Sequence, residues 1–334
     1  AQKRGWDVCF VMKSPSKNSI LKIENSGHSY FSLTYENTHK KKLKYHLPHS
    51  DWLEVSQEVD AMATLLHLEK FKANWVVVDH YALDETWHKL IKQKCNNVMV
   101  IDDLADRTLE CSLLLNQNLG ATEVDYNGKV PSDCIYLLGP KYALLREEFS
   151  QLSKKSTARR TSNSVQKILV TMGGVDATNH TLNVLSELED SEYASDCEFI
   201  VILGSEYPHE VQLNEFVKST CLTIKVFFDI QNMARIMVEA DLCIGAAGST
   251  SWERCCLGLP TLTFALAENQ KKIALELQKA DVALNSSLET VRDDFDNVLR
   301  QKNSKTINKL IENSTAVCDG FGALRVTDHL ENKK

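Results

Sequence analysis

The sequence has no long apolar run, no excess of basic residues and no paired-cysteine motif, and each absence argues against a class of protein. Its 334 residues carry a net charge of −7 at pH 7 without a basic stripe, which argues against a nucleic-acid-binding surface. No apolar stretch approaches the roughly 20 residues of a membrane span. Ten cysteines occur without C-x-x-C pairs or zinc-type spacing, so we interpret them as buried free thiols of a reducing cytoplasm.

Several nucleotide-binding and hydrolase signatures are also missing. The chain contains neither G-x-G-x-x-G nor a Walker loop, which disfavours a nicotinamide cofactor or ATP. It contains no G-x-S-x-G elbow, and Ser249 has no candidate base nearby in the sequence, which disfavours a serine nucleophile.

What the chain does contain is an alternation of short apolar runs with helical patterns, typical of α/β proteins with parallel sheets. Strands are predicted at residues 7–12, 30–35, 44–47, 75–81, 98–103, 113–115, 136–139, 167–172, 199–204, 222–227, 242–244 and 261–266. Helices are predicted at residues 52–70, 83–95, 178–189, 232–240, 271–279, 288–300 and from about 305.

The length is sufficient for two domains, each with its own core. We expect a Rossmann-like domain over residues 1–150, a polar Ser/Thr-rich linker over 151–166 and a second Rossmann-like domain over 167–334. The two domains would face each other across a cleft.

The first residues are unusual for such a fold. Ala1 is not an initiating methionine, and the segment up to Trp6 looks like the last turn of a helix with a glycine stop at Gly5. Such a helix should follow an earlier strand. We therefore expect an N-terminal truncation in which the first strand and its loop are absent.

The segment from Asp241 to Gln270 carries the clearest site signal. An apolar strand ends in the small residues Gly245 to Gly248, which let a ligand approach the backbone, and a helix opens at Ser249. The pair Gly173 and Gly174 follows another predicted strand. Because α/β sheets bind ligands at the carboxyl ends of their strands, these turns predict a phosphate-bearing ligand.

A purely structural interpretation of the same segment stays open. Thr250 and Glu253 have the spacing of a capping box, in which the glutamate only closes the start of the helix.

Six sequence blocks carry a more specific resemblance. They are VVVDHYALDETW (76–87), VIDDLADR (100–107), LLLNQN (113–118), LLGPKYALLREEF (137–149), TMGGVDATN (171–179) and CDGFGALRV (318–326). Together with GAAGSTSWERCCLGLP and the following ENQ, they resemble UDP-2,4-diacetamido-2,4,6-trideoxy-β-L-altropyranose hydrolases of pseudaminic acid biosynthesis, which have the two-domain GT-B fold.

The resemblance implies a reaction without metal or cofactor in a bacterial cytoplasm. Water would attack the anomeric carbon and release UDP and the free diacetamido sugar. The substrate-binding residues would be Gly173, Gly174, Gly248, Ser249, Thr250, Ser251, Glu253, Asn269 and Gln270. Glu253 would accept from the ribose hydroxyls.

The catalytic candidates in this sequence are Tyr81, which we favour, His80 and Asn269. The general base of the resembled family is the histidine of a G-x-G-H-x-x-R loop, and we infer that this loop precedes Ala1. A glycosyltransferase of the same fold and a weakly active UDP-sugar-binding fragment are the alternatives. We expect a monomer that binds neither nucleic acid nor membranes.

Overall fold

The computed structural model describes residues 2–35, 47–160, 165–300 and 305–332. The chain divides into two compact units, and each unit is made of more than one segment of the chain. Unit 1 contains residues 1–117, 121–138 and 324–334, and unit 2 contains residues 118–120 and 139–323. The chain passes from unit 1 to unit 2 after residue 138, twelve positions before the boundary predicted after residue 150.

Unit 1 is built on short parallel strands. Its strands are β1 (Cys9–Lys13), β2 (Ser29–Leu33), β3 (Val76–Val78), β4 (Val98–Ile101), β5 (Leu113–Asn116) and β6 (Ile135–Leu138), and its helices are α1 (Lys17–Asn25), α2 (Gln57–Phe71) and α3 (Glu85–Ile91). β3 to β6 form one four-stranded sheet in chain order, and β1 pairs with β2 in a separate sheet. The Rossmann-like domain predicted here would have a single parallel sheet.

Local sequence explains where the helices of unit 1 begin. Ser16 and Ser56 accept hydrogen bonds from the backbone N–H three residues ahead, and Asp84 accepts from Thr86 N at 2.8 Å. Such side chains satisfy N–H groups that have no partner inside the helix. The strands run through the core because their residues are apolar on both faces, as in Leu113 to Leu115, which are fully buried.

Unit 2 holds a larger parallel sheet. Its strands are β7 (Lys167–Thr171), β8 (Glu198–Leu203), β9 (Thr223–Phe228), β10 (Leu242–Ala246), β11 (Thr261–Phe264) and β12 (Leu284–Asn285), and its helices are α4 (Glu147–Arg160), α5 (His180–Leu188), α6 (Glu210–Ser219), α7 (Met233–Glu239), α8 (Thr250–Cys256), α9 (Glu268–Lys279), α10 (Val291–Arg300) and α11 (Lys305–Val317). The last helix, α12 (Gly322–Asn332), begins in unit 2, and its residues from 324 onward belong to unit 1.

The strand order in unit 2 is β12-β11-β10-β7-β8-β9, and all neighbouring strands are parallel. Numbered from β7, this is the 3-2-1-4-5-6 order of the Rossmann fold, read from the other edge. The order reverses between β7 and β10. At such a point the chain leaves the two central strands in opposite directions, so a crevice opens at their carboxyl ends.

Several predicted elements differ from the structure. Residues 151–160, predicted as a linker, are helical and belong to α4. Although the segment is polar, Phe149, Ser156 and Arg160 of this helix are buried within unit 2, which stabilises it. Residues 161–164 of that predicted linker, and the strand predicted at 44–47 up to residue 46, lie outside the described residues. At the start of the chain, Gln2–Arg4 form one 3-10 turn that ends at Gly5 with φ +66°.

Candidate functional site

The loops after β7, β8 and β10 lie at one edge of the unit 2 sheet, because these strands are parallel neighbours. Gly173 and Gly174 follow β7, and both are exposed. Gly204 follows β8, and a Cβ atom built there would lie 2.0 Å from the carbonyl oxygen of Gly174. The two loops therefore approach each other more closely than any side chain allows.

The turn between β10 and α8 is the second half of this edge. Gly245 lies in the buried strand β10, and its missing Cβ leaves room for Arg254 Nη1 and the Thr171 carbonyl oxygen, which would lie 2.9 Å and 3.0 Å from a Cβ atom built there. Ser251 N donates to Gly248 O at 2.9 Å. Within the described part of the chain, the N–H groups of Gly248, Ser249 and Thr250 donate to no protein acceptor, so these donors are available to a ligand.

The capping-box interpretation is wrong for this helix. Ser249 occupies the N-cap position, and no described side chain caps α8. Thr250 Oγ1 accepts from Arg254 Nη1 at 3.2 Å instead. Burial raises the pKa of Glu253, and the positive charges of Arg146 and Arg254 oppose that rise. The carboxylate of Glu253 therefore has no helix-closing role.

The remaining predicted binding residues of unit 2 fall into two groups. Ser251 is buried, and its hydroxyl accepts from Arg254 Nη2 at 2.9 Å, so its side chain supports the turn. Asn269 and Gln270 follow the strand predicted at residues 261–266 and lie in the first turn of α9. Gln270 Oε1 accepts from Leu266 N at 3.0 Å, whereas Asn269 is exposed.

Asp176 is a residue of this edge that the sequence interpretation missed. It is buried, and its two carboxylate oxygens accept from His180 N and Thr181 N, each at 2.8 Å. It adopts φ +43°, and Asn179 adopts φ +58° while accepting from the Tyr207 hydroxyl at 2.5 Å. An aspartate between a glycine turn and a helix start was the available signal. Asp176 fixes the loop after β7 to α5.

In unit 1, the ends of β3 and β4 bring two of the sequence blocks together. The Tyr81 hydroxyl donates to Asp103 Oδ1 at 2.6 Å. The guanidinium of Arg107 lies 5.8 Å from the centre of the Tyr81 ring. Arg107 Nη1 is 2.7 Å from Asp102 Oδ1, and both side chains are fully buried. The buried ion pair thus holds Arg107 behind the tyrosine.

His80 lies in the same cluster, in one identifiable tautomer. Its Nδ1 accepts from Ala82 N at 3.1 Å. Burial lowers the pKa of its imidazole. The positive charge of Arg107 lowers that pKa further, whereas the carboxylates of Asp60 and Asp79 oppose the decrease. At neutral pH the ring is therefore uncharged with its proton on Nε2. Desolvation raises the pKa of Asp79, and the Asp103 carboxylate adds to the rise.

Two aromatic residues, also missed by the sequence interpretation, complete the cluster. His49 and Trp52 lie 5.3 Å and 6.0 Å from the Tyr81 ring, measured between ring centres. Trp52 is 59% exposed. The cluster therefore combines hydrogen-bonding groups with an aromatic surface, a combination that suits a ligand with both polar and methyl groups.

Two kinds of feature are absent from residues 2–35, 47–160, 165–300 and 305–332, which the structure describes. In those ranges no three His, Cys, Asp or Glu side chains are grouped as metal ligands. No described helix is both long and apolar enough to cross a bilayer.

Comparison with known proteins identifies relatives of both halves of the chain. Residues 167–325 match the Glycosyltransferase family 28 C-terminal domain. The chain is 30% identical over 224 residues to the UDP-2,4-diacetamido-2,4,6-trideoxy-β-L-altropyranose hydrolase of Campylobacter jejuni, a match that covers 67% of this chain and 77% of that protein. It is 28% identical over 212 residues to an uncharacterized protein of Methanocaldococcus jannaschii, covering 62% of this chain but only 43% of that longer relative.

Among solved structures, MurG of Acinetobacter baumannii superimposes with a TM-score of 0.62 at 13% identity, over 99% of this chain and 92% of that chain. At this identity the likeness shows the fold alone, which is the α/β fold of GT-B glycosyltransferases and confirms the predicted fold class. The family follows instead from the sequence match, which extends over two thirds of the chain. The chain therefore belongs to the family of UDP-2,4-diacetamido-2,4,6-trideoxy-β-L-altropyranose hydrolases.

Proposed function

We propose that this protein hydrolyses UDP-2,4-diacetamido-2,4,6-trideoxy-β-L-altropyranose. The oxygen of water attacks the anomeric carbon, and the bond between that carbon and the UDP oxygen breaks, with its electron pair staying on UDP. The proton that the water loses passes to the solvent. The products are UDP and the free 2,4-diacetamido-2,4,6-trideoxy sugar. The observation that carries the proposal is the 30% identity to the named Campylobacter hydrolase over 224 residues.

We assign UDP to the loops at the carboxyl edge of the unit 2 sheet. The open N–H groups of Gly248, Ser249 and Thr250 suit the diphosphate, since developing charge on a leaving group is stabilised by fixed donors. The Gly173–Gly174 loop would contribute from the neighbouring strand. The carboxylate of Glu253 would accept from the ribose hydroxyls, and exposed Asn269 would bind phosphate or sugar.

We assign the sugar chemistry to the cluster in unit 1. Because the Tyr81 hydroxyl donates to Asp103, its lone pairs remain able to accept from a sugar hydroxyl or an acetamido N–H. His80 carries its proton on Nε2, so in this tautomer it would donate to an acetamido carbonyl rather than take a proton from water. We further propose that the protein acts as a monomer in the cytoplasm, where its ten free cysteines would stay reduced.

The test is product analysis after incubation of the chain with the UDP-sugar alone. We expect UDP and free diacetamido sugar in equal amounts, detected by chromatography and NMR. Formation of UDP only when a sugar or lipid acceptor is added would contradict hydrolysis.

A glycosyltransferase is the second candidate, favoured by the match of residues 167–325 to the Glycosyltransferase family 28 C-terminal domain. It predicts a glycosylated acceptor and little free sugar. A protein that binds UDP-sugar without turnover is the third, and calorimetry showing UDP affinity with no product in either assay would support it.

A further inference from the structure

Arg254 is a buried cation that has only neutral hydrogen-bond partners. Its side chain, on α8, is 2% exposed. Nη2 donates to Ala246 O at 2.8 Å and to Ser251 Oγ at 2.9 Å, and Nη1 donates to Thr250 Oγ1 at 3.2 Å. Among the residues that the structure describes, Arg254 forms no ion pair with a carboxylate.

Two other arginines of this chain, Arg107 and Arg160, are also buried. Arg107 lies 2.7 Å from the buried Asp102. Arg160 donates to carbonyl groups at the C-terminal end of α7, including Ala240 O at 2.9 Å, where the helix dipole is negative. An isolated buried charge is unfavourable by several kcal/mol, so an anion bound nearby would stabilise the buried guanidinium of Arg254.

The position of Arg254 indicates where that counter-charge binds. Its Nη1 lies against Gly245, and Nη2 holds the carbonyl of Ala246. Both residues end β10, beside β7, at the point where the strand order reverses. The next residues along the chain, Gly248 to Thr250, present the open N–H groups. The guanidinium therefore lies directly beneath the turn that offers donors to an anion.

The carboxylate of Glu253 is the nearest competing charge in sequence. The charge of Arg254 lowers the pKa of Glu253, but burial has the larger effect, so that the pKa is raised. Successive residues on a helix point in different directions, and the described contacts contain no bond between the two side chains. Glu253 is therefore not the counter-ion of Arg254.

We propose that Arg254 is the residue that makes this turn selective for a diphosphate, acting as a buried positive charge that does not touch the ligand. The inference rests on the proposed function in that the diphosphate is the UDP part of the substrate. Arg254 is a positioning residue in this role: it holds the turn through Ala246, Thr250 and Ser251 and raises the electrostatic potential where the phosphates bind. Electrostatic attraction is strong there because the surroundings are partly desolvated.

The experiment compares the dissociation constants of UDP, uridine and inorganic pyrophosphate by calorimetry. The variants are Arg254→Gln and Arg254→Met, which remove the charge, and Arg254→Lys, which keeps it without the planar fork. Arg159→Gln is the matched control, because it removes one positive charge at the opposite end of β10, where Arg159 pairs with Asp241.

We expect both charge-free variants to bind UDP about ten- to a hundredfold more weakly and to keep the affinity for uridine. Arg254→Lys should retain most of the preference for UDP over uridine, and Arg159→Gln should leave it unchanged. A purely structural role would lower both affinities together and would not be rescued by lysine. If the charge-free variants fail to fold, loss of the preference in Arg254→Lys alone overturns the inference.

The wild-type protein separates this inference from the proposed function. If it binds pyrophosphate in an Arg254-dependent manner but shows no preference for UDP, the diphosphate role stands and the UDP-sugar assignment fails. If it binds UDP and every Arg254 variant binds UDP equally well, the inference fails and the proposed function stands. Binding of neither ligand by the wild type contradicts both.

Discussion

Removal of the Tyr81 hydroxyl, which is a loss of one oxygen atom, tests whether the unit 1 cluster takes part in the reaction. Tyr81→Phe removes the hydrogen bond to Asp103 at 2.6 Å and keeps the ring beside Arg107. Hydrogen bonds to charged groups contribute roughly 1.5–3 kcal/mol. We therefore expect kcat/KM for UDP release to fall about ten- to a hundredfold, while the dissociation constant of UDP alone stays unchanged. Steady-state kinetics and calorimetry measure the two quantities.

Tyr136→Phe is the matched control for this change. Tyr136 lies in β6 of the same sheet and packs beside the core of unit 1, so the loss of its hydroxyl should leave kcat/KM unchanged. Equal losses in both variants, or a weaker affinity for UDP in Tyr81→Phe, would contradict the assignment of Tyr81 to the sugar.

His88 gives the fold a defined pH dependence. Its ring is fully buried on α3, Nδ1 accepts from Glu110 N at 3.3 Å, and burial lowers the pKa to about 3. In the unfolded chain the imidazole has a pKa near its ordinary value of 6.5. The unfolded state therefore binds more protons between these values, so stability is complete above pH 6.5 and falls as pH decreases towards 3. The loss from pH 7.5 to pH 5 is about 2 kcal/mol.

His88→Asn removes the titration while its amide oxygen keeps an acceptor near the Glu110 N–H. We expect lower stability at pH 7.5, because the smaller side chain leaves a cavity, but a smaller further loss on going to pH 5. Urea unfolding at both pH values measures the difference. The control is His329→Asn, which should keep the wild-type pH dependence because His329 on α12 is only half-buried. An unchanged slope in His88→Asn would show that other groups cause it.

At the scale of elements, the three loops at the edge of the unit 2 sheet contain glycines, and Gly204 lies against the backbone of Gly174. Gly204→Ala would force a methyl group to within 2.0 Å of Gly174 O, so we expect a loss of about 1–3 kcal/mol in the free energy of unfolding. UDP affinity should fall as well, because the displaced Gly173–Gly174 loop is part of the proposed site. Urea unfolding and calorimetry provide the two measurements.

Gly248→Ala is the informative comparison, because a Cβ atom there meets no protein atom within 4 Å. Its stability should match the wild type, yet UDP affinity should fall because the methyl group would occupy the space of the diphosphate. Wild-type UDP affinity in Gly248→Ala would contradict close approach of the phosphates to this turn.

Local sequence patterns predicted most elements but not their exact limits. Apolar runs such as Lys167–Thr171 identified buried strands, and the glycine turns identified the edge where they end. The α4 helix was missed because its surface is polar and few of its residues are buried. The capping-box alternative fails because Ser249 rather than Thr250 occupies the N-cap position, and the Thr250 hydroxyl accepts from Arg254 instead. The spacing of Thr250 and Glu253 contains no information on that choice.

At the scale of the whole molecule, UDP binding should stabilise one unit selectively. A ligand at 100 times its dissociation constant stabilises the folded state by about 2.7 kcal/mol. We expect hydrogen exchange to slow in the loops after β7 and β10 and in α8, while the β3–β6 sheet of unit 1 exchanges as before. Mass spectrometry with and without UDP measures this, with uridine as the control. Equal protection of both sheets would contradict the assignment of UDP to unit 2.

The division of the chain was the least predictable feature. Two α/β halves were evident from the alternation of strands and helices, but the membership of residues 324–334 in unit 1 was not. It depends on contacts between distant residues: Trp75 Nε1 donates to Leu330 O at 2.9 Å, and Arg4 forms ion pairs with Asp328 and Glu331. Local periodicity contains no information on which distant segment a helix packs against.

The same contacts affect how the protein forms during translation. The segment of α12 that packs on Trp75 and Arg4 is synthesised after residues 139–323 of unit 2, so unit 1 lacks this helical segment until then. Until then the surface that α12 covers is open to chaperones and to neighbouring nascent chains, since incomplete domains expose apolar surface.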